Sequence, residues 1–187
     1  MLATLPEGLL GTRDRALLLI GFAGAFRRSE LVGLNVEDAS FTGDGLVVTL
    51  PRSKTDQEGE GRKVGIPYGS NPATCPVRSL RAWIETAGIT AGPLFRSVNR
   101  YGRVQPGRLS DKAVALIVKR YAQASGRDAR TFSGHSLRVG LVTAAAMAGA
   151  SERAIMNQTG HRSTVMVRRY IRDASLFRDN AAARAGL

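Results

Sequence analysis

Apolar positions along the chain switch between a helical and a strand rhythm. Residues 15–23 are apolar on nearly every face, which predicts a buried helix with Thr12 as its candidate cap. Residues 29–34 repeat the helical pattern in a shorter piece. The rhythm then changes. Leu46-Val47-Val48-Thr49-Leu50 is rich in β-branched residues, Gly43-Asp44-Gly45 before it is a turn signal, and so is Thr55-Asp56-Gln57-Glu58-Gly59-Glu60-Gly61 after it. Residues 62–67 make a return strand. The pattern predicts an antiparallel sheet of about three strands, with Lys54 at the start of a hairpin loop.

Helical spacing resumes at Pro76, a good first-turn residue, and runs through Leu80, Trp83 and Ile84. Residues 95–108, rich in arginine and broken by Gly102, Pro106 and Gly107, read as an irregular basic loop. Ser110 caps a helix over Asp111–Ala124, with Val114, Ile117, Val118 and Tyr121 inward and Lys112, Lys119 and Arg120 outward. Residues 135–148 make an Ala-rich helix ended by Gly149. Ser151 caps the next helix and Gly160 ends it; Ser163 or Thr164 caps another that carries Val167, Tyr170 and Ile171. Residues 174–187 form a weakly amphipathic helix candidate. No linker composition divides the chain. The expectation is one domain over residues 1–187, mainly α with a small antiparallel β-sheet (α+β), with its core over about 12–173 and a C-terminal tail helix over 174–187.

Composition narrows the class. A hydrophobic content of 43% and a mean hydropathy of −0.10 suit a packed domain and exclude a disordered basic tail. No apolar run approaches the ~18–20 residues that span a bilayer, and residues 1–7 lack a secretory signal pattern. Cys75 is the single cysteine, so no internal disulfide forms and a reducing, cytoplasmic setting is expected. Lys and Arg number 27 against 15 Asp and Glu, a net charge of +12. A folded domain so basic calls for a polyanion, most often nucleic acid. Only Lys54, Lys63, Lys112 and Lys119 are lysines; a GC-rich genome accounts for arginine over lysine but not for the basic excess.

Five segments carry candidate chemistry: Gly24-Ala25-Phe26-Arg27-Arg28-Ser29-Glu30-Leu31; Lys54; Gly134-His135-Ser136-Leu137-Arg138; Gly160-His161-Arg162-Ser163; and Arg168-Arg169-Tyr170-Ile171-Arg172. The two histidines of the chain both fall inside them. His135 and Arg138 are spaced to share a helix face, as are Arg27 and Glu30. On one continuous helix His161 and Tyr170 would face opposite ways; they converge if His161 lies in the turn opened by Gly160 and Tyr170 on the following helix. Two arginines, a lysine, two imidazoles and a tyrosine fit phosphoryl transfer to a protein hydroxyl. Guanidinium and imidazole donors stabilise charge on the non-bridging oxygens, a tyrosine attacks, and a mobile lysine protonates the leaving alkoxide.

These residues, in this order, resemble the catalytic domain of the tyrosine recombinases, the phage integrase family. Residues 25–34 resemble its first-arginine box. Residues 133–140 with 146–150 resemble the second box in its Cre-like form. Thr159-Gly160-His161-Arg162-Ser163 and Tyr170-Ile171-Arg172 resemble the third box and the nucleophile region. The resemblance runs over about residues 12–177. It implies that Arg27 and Arg138 clamp the scissile phosphate, Lys54 protonates the 5′-oxygen, and His135 accepts the tyrosine proton. It further implies that His161 bonds a non-bridging oxygen, Tyr170 forms a 3′-phosphotyrosyl link, and Glu30 supports the site. It implies no metal and no nucleotide cofactor, double-stranded DNA as partner, and a tetramer on DNA assembled through the C-terminal tail. The setting would be cytoplasmic, at the nucleoid, with no membrane.

The family usually carries a helical core-binding domain ahead of the catalytic one, and the short stretch before Thr12 leads us to expect that domain to be absent. A type IB topoisomerase-like relaxing enzyme and a non-catalytic DNA-binding integrase remnant stand as alternatives. Arg28, Arg96, Arg100, Arg103, Arg108, Lys112, Lys119 and Arg120 are the candidate DNA contacts, against the plain reading of a solvated basic face. Lys63 is the competing lysine, Tyr68, Tyr101 and Tyr121 are the competing tyrosines, and Trp83 and Cys75 read as structural.

Overall fold

A computed structural model describes residues 1–50, 61–161 and 163–174, with Ala182 and Ala185. Its α-helices are α1 (Leu9–Ala23), α2 (Arg28–Gly33), α3 (Pro76–Thr86), α4 (Asp111–Ala124), α5 (Ser136–Met147), α6 (Glu152–Thr159) and α7 (Thr164–Ala174). Strands β1 (Ala39–Phe41), β2 (Gly45–Leu50) and β3 (Arg62–Pro67) form an antiparallel sheet in that order. Strands β4 (Arg96–Val98) and β5 (Val104–Arg108) form an antiparallel pair. The mainly helical α+β architecture is the one the apolar pattern implied.

Two local expectations are corrected. The first helix begins at Leu9, because Gly8 opens it in the left-handed region (φ 82°) and Leu9-Leu10 extend its apolar run. Thr12 is therefore inside the first turn, its hydroxyl donating to the Gly8 carbonyl at 3.1 Å, and is not the cap. Residues 95–108 are not an irregular loop. Val98 pairs with Val104, and Asn99 Oδ1 closes the turn by accepting from the backbone N–H groups of Tyr101 (2.9 Å) and Arg103 (3.0 Å).

Helix α1 packs against α2, α3 and α5 in the main core. It is buried, as its all-round apolarity implied, but it also buries an ion pair. Asp14 is 0% exposed and accepts from Arg13 Nε at 2.8 Å and from the Tyr121 hydroxyl at 2.6 Å. That contact ties α1 to α4. Burial first, then the hydrogen bond to Asp14 and its charge, push the Tyr121 phenol up to about 12. Tyr121 is thus a structural tyrosine. Trp83 is likewise structural, donating Nε1–H to the Leu94 carbonyl at 2.8 Å, and Cys75 is buried.

Strand alternation sets the sheet. Leu46, Val48 and Leu50 on β2 and Val64 and Ile66 on β3 are buried, whereas Lys63 is exposed. Arg62 shares the face of Val64 and Ile66. A second, smaller cluster (Val142, Ala146, Ile155, Val167) joins α5, α6 and α7, with Tyr170 and Ile171 packed on it. Helix α5 belongs to both clusters, since Leu137 lies in the main core. No helix among the described residues is long and apolar enough to cross a membrane.

Candidate active site

The first arginine box sits where α1 gives way to α2. Ala25, fully buried, takes a positive φ of 49°, a conformation that costs a residue with a Cβ about 1–2 kcal/mol. Its carbonyl accepts from Arg138 Nη1 at 2.7 Å. Two residues on, Arg27 is the N-cap of α2, and the Glu30 carboxylate in the first turn accepts from the Arg27 backbone N–H at 2.8 Å. The same carboxylate pairs with the Arg27 guanidinium at 2.5 Å. One acid thus seals the helix start and orients the arginine, the geometry that the Arg27–Glu30 spacing implied.

His135 is the N-cap of α5 and Arg138 lies in its first turn. The Ser133 hydroxyl accepts from the His135 backbone N–H at 3.1 Å, and the Ser136 hydroxyl accepts from Ser133 N–H at 2.9 Å, so the entry is fixed by side-chain turns. Arg138 is 2% exposed. Besides Ala25 its guanidinium meets His161, Nη2 to Nε2, at 3.1 Å.

His161 owes its place to Gly160. Gly160 caps α6 in the left-handed conformation (φ 66°), a position only glycine adopts without strain, and His161 follows directly. Its Nδ1 lies 2.7 Å from the hydroxyl of Thr159. Tyr170, half-buried on α7, packs on the small cluster and lies within the field of Arg138. His161 in the turn and Tyr170 on the next helix is the arrangement the nine-residue interval required.

The cluster is strongly positive. Burial first, then Arg138, Arg27, His135 and Arg62, push the His161 imidazole down to about 4. His135, at the rim, is lowered by partial loss of hydration and by Arg138, Arg27 and Arg28. Burial and the neighbouring guanidinium of Arg27 bring Arg138 down to about 10, with Glu30 and Tyr170 opposing. Such a field holds both imidazoles neutral at pH 7 and is built to receive an anion. Among the described residues no group of His, Cys, Asp and Glu side chains could hold a metal ion.

Lys54 lies outside the described residues. Of the candidate DNA contacts, Arg28 is exposed and 3.8 Å from Asp111, Arg100 lies over the Tyr101 ring, and Arg103, Lys112, Lys119 and Arg120 are exposed. Arg96 and Arg108 are bound into the fold. Arg96 donates to the Pro93 carbonyl at 2.9 Å, and Arg108 to the Leu34 carbonyl at 3.0 Å and to Asn35 Oδ1 at 2.6 Å.

Two site residues escaped the sequence reading. Arg62 donates to the Gln158 carbonyl at 2.9 Å and lies 3.9 Å from Glu30, bringing another guanidinium beside Arg27 and Arg138. The alternation Arg62, Val64, Ile66 was the signal: an arginine on the buried face of a strand needs a buried acceptor. Thr159 had no comparable signal beyond its place before Gly160-His161.

A mainly helical domain with a three-stranded sheet, bringing two arginines, two histidines and a tyrosine to one place, has the make-up of a tyrosine-recombinase catalytic domain. Comparison with known proteins gives the same class. The model of the phage integrase family matches residues 1–176. The chain belongs to the phage integrase family. It is 48% identical over 178 residues to the integrase/recombinase xerD homolog of Selenomonas ruminantium, covering 95% of this chain and 52% of that protein. It is 34% identical over 170 residues to tyrosine recombinase XerC of Syntrophus aciditrophicus, covering 88% of this chain and 50% of that protein. The crystal structure of XerH site-specific recombinase bound to a palindromic difH substrate shares the fold, with a TM-score of 0.71 at 16% identity over 99% of this chain and 49% of that one. The chain thus spans about half the length of the curated relatives it matches.

Proposed function

We propose that this chain is the catalytic part of a site-specific DNA recombinase, which cuts and rejoins strands through a 3′-phosphotyrosyl bond to Tyr170. The observation that carries this reading is the contact of Arg138 on α5 with His161 in the α6–α7 turn, beside the Arg27–Glu30 pair, with Tyr170 on α7 within the field of Arg138. In this reading Arg27 and Arg138 hold the non-bridging oxygens of a scissile phosphate, and His161 bonds one of them. The Tyr170 oxygen attacks phosphorus and its proton passes to His135, whose lowered pKa keeps it a free base at neutral pH. The P–O5′ bond breaks, and Lys54 supplies the proton to the departing 5′-oxygen. The covalent link keeps the phosphodiester energy, so a 5′-hydroxyl of a partner duplex reseals it without metal or ATP. Lys63 points to the exposed face opposite Arg62, which favours Lys54 as the acid.

The substrate in this reading is duplex DNA, gripped by Arg28, Arg100, Arg103, Lys112, Lys119 and Arg120, with Arg96 and Arg108 serving the fold. Residues about 12–173 would form the catalytic core within a single 1–187 domain. Assembly into a tetramer on DNA through residues 174–187 belongs to the same proposal, although most of that tail lies outside the described residues. The protein would work at the nucleoid. The test is incubation with nicked suicide duplexes followed by denaturing electrophoresis. Wild type is expected to leave a covalent protein–DNA adduct and Tyr170→Phe none; an adduct that persists in Tyr170→Phe overturns the reading. Site-independent relaxation of supercoiled plasmid would move it to a type IB topoisomerase.

A further inference from the structure

Thr159 stands directly behind His161, and hydrogen-bond logic determines what the pair does. Thr159 is 0% exposed. Its hydroxyl carries one proton, for which the Ile155 carbonyl, back along α6 at 2.8 Å, is the ready acceptor. Toward His161 Nδ1, 2.7 Å away, the hydroxyl oxygen can then only accept, so Nδ1 carries the imidazole proton. The other ring nitrogen gives the same answer independently. Nε2 meets Arg138 Nη2 at 3.1 Å, and a guanidinium has no acceptor, so Nε2 presents its lone pair. Both partners select one tautomer, neutral with Nδ1–H.

We propose that Thr159 is a positioning residue, which fixes His161 in the Nδ1–H form and aims Nε2 into the site beside Arg138. This rests on the recombinase reading only for its consequence, the presentation of Nε2 to a phosphate oxygen. Thr159 accepts from Nδ1–H in the neutral ring and in the imidazolium alike. The ring therefore stays in place when Nε2 takes a proton from solvent and turns from acceptor of Arg138 to donor toward the phosphate. Arg138 Nη2 is released to the phosphate by the same change. The neutral resting form agrees with the lowered pKa of His161, set by burial and by Arg138, Arg27, His135 and Arg62 around it.

The chain has two histidines, so nitrogen-15 NMR of the histidine-labelled protein resolves both rings, with His135→Asn supplying the assignment. In the wild-type protein at pH 7, His161 is expected to carry its proton on Nδ1. Thr159→Ser keeps that signature, and Thr159→Val, with Arg138 alone left to select the tautomer, weakens it to a mixture. A wild-type ring protonated on Nε2, or an unchanged Nδ1–H signature in Thr159→Val, overturns the proposal. If Thr159→Val fails to fold, a wild-type ring protonated on Nε2 still overturns the proposal, and Thr159→Ser against wild type in the cleavage assay still tests it. In single-turnover cleavage of a nicked duplex, Thr159→Val is expected to be about tenfold slower, with unchanged DNA affinity and recovery in Thr159→Ser. Cleavage by Thr159→Val at the wild-type rate overturns the positioning role. A wild-type protein that cleaves nothing would fail the recombinase reading and leave the tautomer result to stand by itself.

Discussion

Arg138 carries its charge at 2% exposure, with a backbone carbonyl and an imidazole as hydrogen-bond partners and Glu30 as a nearby balancing carboxylate. A buried cation so held weakens a fold and gains from an arriving anion. The same field bears on His161, whose pKa of about 4 lies below the ~6.5 of an unfolded imidazole. Between those values the unfolded chain binds more protons than the folded one, so stability is full above the unfolded value and falls as pH drops through this window. His135, lowered as well, acts in the same direction. Lowering the pH from 7 to about 4.5 is expected to reduce the thermal midpoint, and His161→Asn to flatten part of that fall. Parallel midpoint-against-pH curves for the two proteins would contradict the placement of His161. At this scale the sequence was most informative about residues spaced along one helix. Arg27 with Glu30 could be paired from the interval alone, and His135, at the N-cap of α5, lies within the field of Arg138 in its first turn. Thr159 could not be paired this way, because its role depends on where one hydroxyl proton goes.

Among the elements, α1 joins the first arginine box to the rest of the fold. Its Arg13–Asp14 pair and the Tyr121 hydroxyl form a buried polar contact between α1 and α4. Asp14→Ala leaves the Arg13 charge buried without its carboxylate and is expected to cost about 3–5 kcal/mol in denaturant unfolding. Tyr121→Phe, which removes one donor, is expected to cost about 1–3 kcal/mol. A loss below about 1 kcal/mol in Asp14→Ala would contradict the anchoring role. The pattern that predicted α1 as wholly apolar began at residue 15 and so stopped short of this pair. Elements with strong punctuation were legible. Ser110 and Ser151 cap α4 and α6 through their hydroxyls, and Gly160 ends α6. The β4–β5 hairpin was not legible, because its strands are short, carry Pro106 and Gly107, and are closed by an Asn99 turn that composition alone does not reveal.

For the whole molecule, the charge of +12 divides by use. Arg15, Arg62, Arg108 and Arg138 donate to backbone carbonyls of other segments, a clamping task suited to the guanidinium fork, and Arg96 does so within its own loop. Among the exposed basic residues, Arg28, Arg100, Arg103, Lys112, Lys119 and Arg120 are the candidates to meet phosphates. With about six such contacts, duplex affinity is expected to fall roughly a thousandfold between 50 and 200 mM salt. A nearly flat dependence in a titration would contradict phosphate-dominated binding. The boxes of the site were legible because each is local. Arg62 was not, since its acceptor on Gln158 is 96 residues away and only the packed fold brings them together. The central claim is that Tyr170 is the nucleophile. Its most direct measurement is mass spectrometry of the covalent adduct after nuclease and protease digestion. A nucleotide joined through its 3′-phosphate to Tyr170 is the expected result. The same group on Tyr68, Tyr101 or Tyr121, or a 5′-linked nucleotide on any tyrosine, would contradict it.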